Sequence, residues 1–153
     1  MPAGQQRFYM KVKINLVDKT LPMPSYQTNG SVAFDLYARE DAIIKSREIK
    51  LIPANVIIQV PEGFMLLIAS RSSLPLKKGL VLANSVGILD QDYCGPEDEI
   101  KLQLLNITGR DAVIKRGERL AQGILVKIEK AELEQTGLGQ NNSRGGFGST
   151  GGY

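Results

Sequence analysis

Apolar and polar side chains alternate in short runs along this chain, and glycine or proline soon interrupts each run. Val12 and Ile14 alternate with Lys11, Lys13 and Asn15, as do Ile100, Leu102 and Leu104 with Lys101 and Gln103. A period of two turns one face of a strand toward a core. Leu120 to Ile128 reads as a further strand. Val56-Ile57-Ile58-Gln59-Val60 and Phe64-Met65-Leu66-Leu67-Ile68-Ala69 flank Pro61-Glu62-Gly63, which predicts a β-hairpin with a short turn. Pro53, Pro61, Gly79, Gly87, Gly95, Gly109, Gly117 and Gly123 supply the breaks. Many short strands with frequent turns indicate an all-β sandwich or barrel and argue against alternating strands and helices. One short helix is predicted, with Ser73 as N-cap, Pro75 in the first turn and Gly79 closing it after Lys77 and Lys78.

The 153 residues fit one domain with a sizeable core, at 42% hydrophobic and 23% charged. The domain is expected to span residues 1–135. Residues 136–153 are rich in Gly, Ser and Asn, with Phe147 and Tyr153 as their aromatics. They are expected to form a flexible arm, because they bury too little to order themselves. A net charge of +3 is spread over scattered Lys and Arg, so a solvated surface is expected and nucleic acid is not. The single cysteine, Cys94, suits a reducing cytoplasm. The N-terminus lacks an apolar signal core, and Pro61-Glu62-Gly63 interrupts the most apolar stretch, so no membrane partner is expected.

With no histidine in the chain, Ser–His nucleophiles and histidine-bound zinc are excluded. A carboxylate working with an oxygen-bound hard cation is the natural remaining route. Five segments carry residues suited to it. Asp35, inside Ala33-Phe34-Asp35-Leu36-Tyr37-Ala38, is either a turn aspartate or a cation ligand. Ser70-Arg71-Ser72-Ser73 opens the expected helix and is either a plain cap or a phosphate cradle. Asn84 to Gly95 reads as a strand, a Gln91-Asp92 turn and a returning strand, able to frame a small-molecule pocket. Arg119 and Gln122 begin a mostly apolar strand. Ser143 to Gly151 has the composition of a phosphate loop but lacks the P-loop lysine.

In this order the five segments resemble the five motifs of the trimeric dUTPase family, over about Ala33 to Gly151. The resemblance implies a distorted jelly-roll, β-barrel-like fold with one short helix, and an arm over 136–153 that closes on the active site. It implies cleavage of dUTP to dUMP and pyrophosphate by water attack on the α-phosphorus, which supplies dUMP for thymidylate synthesis and keeps uracil out of DNA. Asp90 is the implied catalytic base. Arg71, Ser72, Ser73, Gln122, Arg144, Gly148, Ser149 and Thr150 are the implied phosphate and arm contacts. Asn84, Gly87, Ile88, Leu89, Tyr93 and Lys101 would hold the deoxyuridine, and Phe147 would stack on its base. Mg²⁺ is the implied cofactor, reached by Asp35 through water, and the assembly is a homotrimer with active sites shared between subunits. The chain departs from the family pattern at Pro96-Glu97-Asp98, an insertion where a tighter turn is expected. Its nearest enzymatic alternative is a dCTP deaminase of the same fold, and its nearest non-enzymatic one a nucleotide-binding regulator.

Overall fold

A computed structural model describes residues 10–137, 139, 143, 145 and 146. Eleven strands and one helix follow one another as β1 Lys13–Leu16, β2 Phe34–Tyr37, β3 Ala42–Ile44, β4 Ile49–Pro53, β5 Val56–Gln59 and β6 Phe64–Ser70. Then come α1 Ser73–Lys78, β7 Leu80–Leu82, β8 Gly87–Leu89, β9 Lys101–Asn106, β10 Ala112–Ile114 and β11 Arg119–Lys127. They form four antiparallel sheets, with orders β1-β5, β10-β3, β2-β11-β6-β8 and β4-β9-β7. The core draws on all four: Ile58, Ile44 and Ile114, Leu36, Leu66 and Leu120, and Ile52, Leu80, Leu102 and Leu104 are buried together. This is the expected all-β, jelly-roll-like arrangement with one short helix. Among the described residues no helix is long and apolar enough to cross a membrane.

The expected hairpin does not form. β5 pairs with β1, whereas β6 pairs with β11 and β8. Both runs are apolar on successive residues, and Val56, Ile57 and Ile58 are all buried. With both faces of β5 covered, no half-polar pattern sets a register between the two strands. The turn is present, since Phe64 N–H donates to Pro61 O at 3.1 Å. It passes the chain to another sheet, where Gly63 O accepts the Ile128 N–H at 2.9 Å.

The helix starts one residue early. Ser72 takes the cap position with φ −54° and ψ −31° and makes no side-chain cap bond, and Ser73 is already helical. A helical backbone at Ser72 points its hydroxyl away from the turn it would cap. Gly79 ends the helix as expected, at φ 63°, with its N–H on Pro75 O at 2.9 Å. A Cβ there would fall on Thr108 Cγ2. Thr108 cannot give way easily, because its Oγ1 lies 2.7 Å from Asn106 Oδ1 and 2.9 Å from Arg110 O. Gly79→Ala is therefore expected to cost about 3 kcal/mol, from left-handed strain plus overpacking. Urea unfolding at matched protein concentration measures it, and a loss under about 0.5 kcal/mol, the scale of a neutral surface change, would contradict this.

Candidate active site

The sheet β2-β11-β6-β8 gathers the first, second and fourth segments at one end. Asp35, on β2, is 5% exposed. Its Oδ1 lies 3.0 Å from Arg71 Nε, and its Oδ2 3.1 Å from Arg119 Nη1. A buried carboxylate must be paired, and here each oxygen has one arginine. Gln122 sits opposite Asp35 across β2 and β11, and donates from Nε2 to Ser70 O at 3.2 Å. A register shift in β11 between Arg119 and Ala121 marks the point where Arg119 turns toward Asp35.

The approach to Arg119 is braced from its other side. Arg116 pairs with Asp18 at 2.6 Å, and its N–H donates to Asp41 Oδ1 at 2.7 Å. The Arg116 guanidinium, followed by Thr20, holds the Asp18 carboxyl well below the usual range. The Arg116 N–H, followed by Lys115, lowers that of Asp41. Glu118 in turn pairs with Lys78 of α1 at 2.7 Å.

Arg71 and Arg119, with Ser73, Lys77, Lys78 and Glu118, help line a cavity of about 520 Å³. Four cations against Glu118 and the adjoining Asp35 leave it net positive by two. Among the described residues, no side-chain hydrogen bond engages the hydroxyls of Ser72 and Ser73, so both can donate to an incoming anion.

The third segment builds a second cavity, of about 380 Å³, lined by Asn84, Gly87, Ile88, Leu89, Asp90, Tyr93 and Lys101. β8 lies against β6 with Leu89 opposite Leu66 and Gly87 opposite Ile68. A Cβ on Gly87 would come 3.1 Å from Ile68 Cβ, so any larger residue would require Ile68 to give by a few tenths of an ångström. The Gln91-Asp92 turn is present, with Tyr93 N–H on Asp90 O at 3.4 Å and Gln91 Nε2 on Phe64 O at 2.9 Å. The returning strand is absent. After Tyr93 the chain enters a second turn, where Asp98 Oδ2 accepts the Gly95 N–H at 2.7 Å. Pro96 has no N–H to give a strand ladder, which is why pairing waits until Lys101.

Asn84, Gly87, Ile88, Leu89, Asp90 and Tyr93 of the third segment thus share one cavity with Lys101. Leu51 of β4, Ile68 of β6 and Ile100 also line it. Sequence reasoning did not find these three, whose only signal is that of ordinary strand residues. Arg144, Phe147, Gly148, Ser149 and Thr150 lie outside the described residues.

The two cavities share no lining residue, and strand register explains why. Leu89 faces Leu66, so Asp90 stands level with Met65. Asp35 faces Gln122, which faces Ala69. Four residues along β6 and three strand spacings across the sheet put the backbones of Asp90 and Asp35 roughly 20 Å apart at ideal strand spacing.

The sequence model of the dUTPase family matches residues 19–151. The chain belongs to the dUTPase family. A deoxyuridine 5′-triphosphate nucleotidohydrolase of Helicobacter pylori (strain Shi470) is 39% identical over 144 residues, covering 93% of this chain and 97% of the relative. The crystal structure of the dUTPase from Streptococcus mutans superposes with a TM-score of 0.72 at 32% identity, covering 78% of this chain and 98% of that one. The dUTPase of Staphylococcus bacteriophage 80alpha, solved with dUpNHpp, shares the fold at a TM-score of 0.80 and 24% identity, over 92% of this chain and 98% of that one.

Proposed function

We propose that this dUTPase works at sites built between copies of the chain, with Asp90 of one copy facing Asp35, Arg71 and Gln122 of the next. Hydrolysis of dUTP to dUMP and pyrophosphate is the activity its family membership gives it. The observation that carries the shared site is the sheet register, which at ideal strand spacing sets Asp90 and Asp35 about 20 Å apart. A base and a metal-anchoring carboxylate that serve one α-phosphorus cannot stand so far apart. A closed ring of identical copies brings them together, because each copy offers its Asp90 turn to one neighbour and its basic cavity to the other. The resemblance gives that ring as a trimer, with the arm over 136–153 closing each site.

Each group then has a defined task. Asp90 orients a water in line with the α-phosphorus and takes its proton. Arg71, Ser72, Ser73 and Gln122 hold the triphosphate and stabilise the charge that moves to the pyrophosphate side, as positioning chemistry requires. Arg144, Gly148, Ser149 and Thr150 complete that hold from the arm. Asp35 fits Mg²⁺ through water, because each of its oxygens keeps lone-pair capacity beyond its one arginine contact. Among the described residues no three acidic or sulfur side chains cluster as a protein-only metal cage. The donor set thus suits a cation held mainly by phosphate oxygens. When bound, Mg²⁺ neutralises phosphate charge.

At the other cavity, Asn84 and the backbone of Ile88 and Leu89 present the donor and acceptor pattern of uracil. Cytosine would leave buried polar groups unpaired, a defect able to discriminate by roughly 10⁴-fold. Tyr93 lies under the sugar, where a ribose 2′-hydroxyl would need room, Lys101 borders the same space, and Phe147 stacks on the base.

Product analysis tests the reaction. Incubated with Mg²⁺ and each nucleotide separately in ¹⁸O-water, the protein is expected to convert dUTP to dUMP carrying the label, with unlabelled pyrophosphate. EDTA is expected to stop it. Label in pyrophosphate would exclude attack at the α-phosphorus, and deamination of dCTP would favour the alternative enzyme of this fold.

A further inference from the structure

The Pro96-Glu97-Asp98 insertion lines neither cavity, yet it delivers a buried acid. Glu99 is 8% exposed. Its Oε1 lies 2.8 Å from Arg39 Nε and accepts the Asn55 N–H at 2.9 Å. Asn55 is itself buried with φ 67°, and its side chain clamps the backbone of Asp18 at 2.7 and 3.0 Å. The inserted turn is closed by the Asp98 carboxylate on Gly95 N–H and by Asp98 N–H on Gly95 O at 3.1 Å. The chain between Tyr93 and β9 is therefore held at both ends, by its own turn and by a half-buried ion pair.

Two links run from Glu99 to the nucleoside cavity. The Tyr93 hydroxyl donates to the Glu99 carbonyl at 3.4 Å. Ile100 and Lys101, the next residues in the chain, line that cavity. A buried ion pair adds little net stability over a well-packed apolar pair. What Arg39 and Asn55 contribute is one fixed position for the Glu99 backbone.

We propose that Glu99 is a positioning residue that sets the height of Tyr93 beneath the sugar, and with it the rejection of ribonucleotides. This rests on the reading of Tyr93 given above. Glu99 itself touches no substrate. The turn from Gly95 to Asp98 lengthens the connection from Tyr93 to β9, and the Glu99–Arg39 pair fixes its far end.

The test compares kcat and KM for dUTP and UTP in the full-length wild type, Tyr93→Ala, Glu99→Gln and Asp98→Ala. Glu99→Gln keeps the shape and an acceptor for Asn55 but loses the charge that faces Arg39. It is expected to keep most of its kcat on dUTP and to raise KM. Its preference for dUTP over UTP is expected to fall by roughly tenfold, part of the ~10²-fold that a close wall holds against one extra hydroxyl. Asp98→Ala loosens the partly exposed turn without touching the core, so it tests the same point should Glu99→Gln not fold. It is expected to shift the preference in the same direction by less. If Tyr93→Ala collapses the preference while Glu99→Gln and Asp98→Ala leave it intact, the role of Glu99 is overturned and that of Tyr93 stands. A preference untouched by Tyr93→Ala removes both. A loss of kcat with an unchanged preference would make Glu99 merely structural and overturn the proposal.

Discussion

Asp90→Asn is expected to lower kcat on dUTP by about 10³-fold, the middle of the range for a lost general base. Asn keeps the size of the side chain and its place on the Asp90–Tyr93 turn, where Asp90 O accepts the Tyr93 N–H and the Gln91 side-chain amide donates to Phe64 O. The cavity around Asn84, Ile88 and Tyr93 stays intact, so affinity for a non-hydrolysable dUTP analogue is expected to change little. A fall in kcat with unchanged binding is the signature of an interaction made only in the transition state. Single-turnover kinetics and calorimetric titration separate the two. A variant that keeps more than a tenth of its rate would show that Asp90 is not the base.

Arg71→Ala is expected to act through binding as well as rate. The guanidinium holds one oxygen of the buried Asp35 and lines the basic cavity. Its removal leaves Asp35 with Arg119 alone and takes one of two net positive charges from the place proposed for the triphosphate. Truncating one member of a desolvated charge pair costs about 2–4 kcal/mol, so kcat/KM is expected to fall about 10²-fold or more. Inhibition by free pyrophosphate is expected to weaken in parallel. Arg71→Lys restores the charge but not the flat fork that reaches Asp35 while facing the cavity, so it should remain well below wild type. Full activity in the lysine variant would reduce Arg71 to a simple point charge.

The half-buried strands were legible in the sequence because one face of each meets water. β1 and β9 match the alternating runs to within two residues at each end, and β11 matches the run from Leu120 to Ile128 to within one. β3, β7, β8 and β10 have three residues each, too few to display a period. The hairpin at Pro61 failed for the opposite reason, since β5 is buried on both faces and local pattern cannot say which strand it joins. Ser72 and Ser73 differ by one residue of helix start, a distinction set by backbone angles and not by two identical side chains.

Residue chemistry in the site was legible and its geography was not. By type Asp35 suggests a cation ligand and Arg71 an anion contact, but their convergence with Arg119 depends on β2 and β6 both flanking β11. The distance from that cluster to Asp90 follows from three strand pairings, none of which is local. Arg39 and Glu99 lie 60 residues apart, and nothing near either one announces the other.

The shared site is tested most directly by mixing chains that are each inactive. Asp90→Asn and Arg71→Ala protomers, co-expressed in equal amounts, assemble at random. A site works only when its Asp90 turn comes from an Arg71→Ala chain and its basic cavity from an Asp90→Asn chain. Under cyclic symmetry that holds for one half times one half, or about a quarter, of all sites. Recovery of dUTP turnover near a quarter of wild type is the result expected. No recovery, with native mass spectrometry showing mixed assemblies, would place Asp90 and Arg71 of each site on one chain and contradict the account.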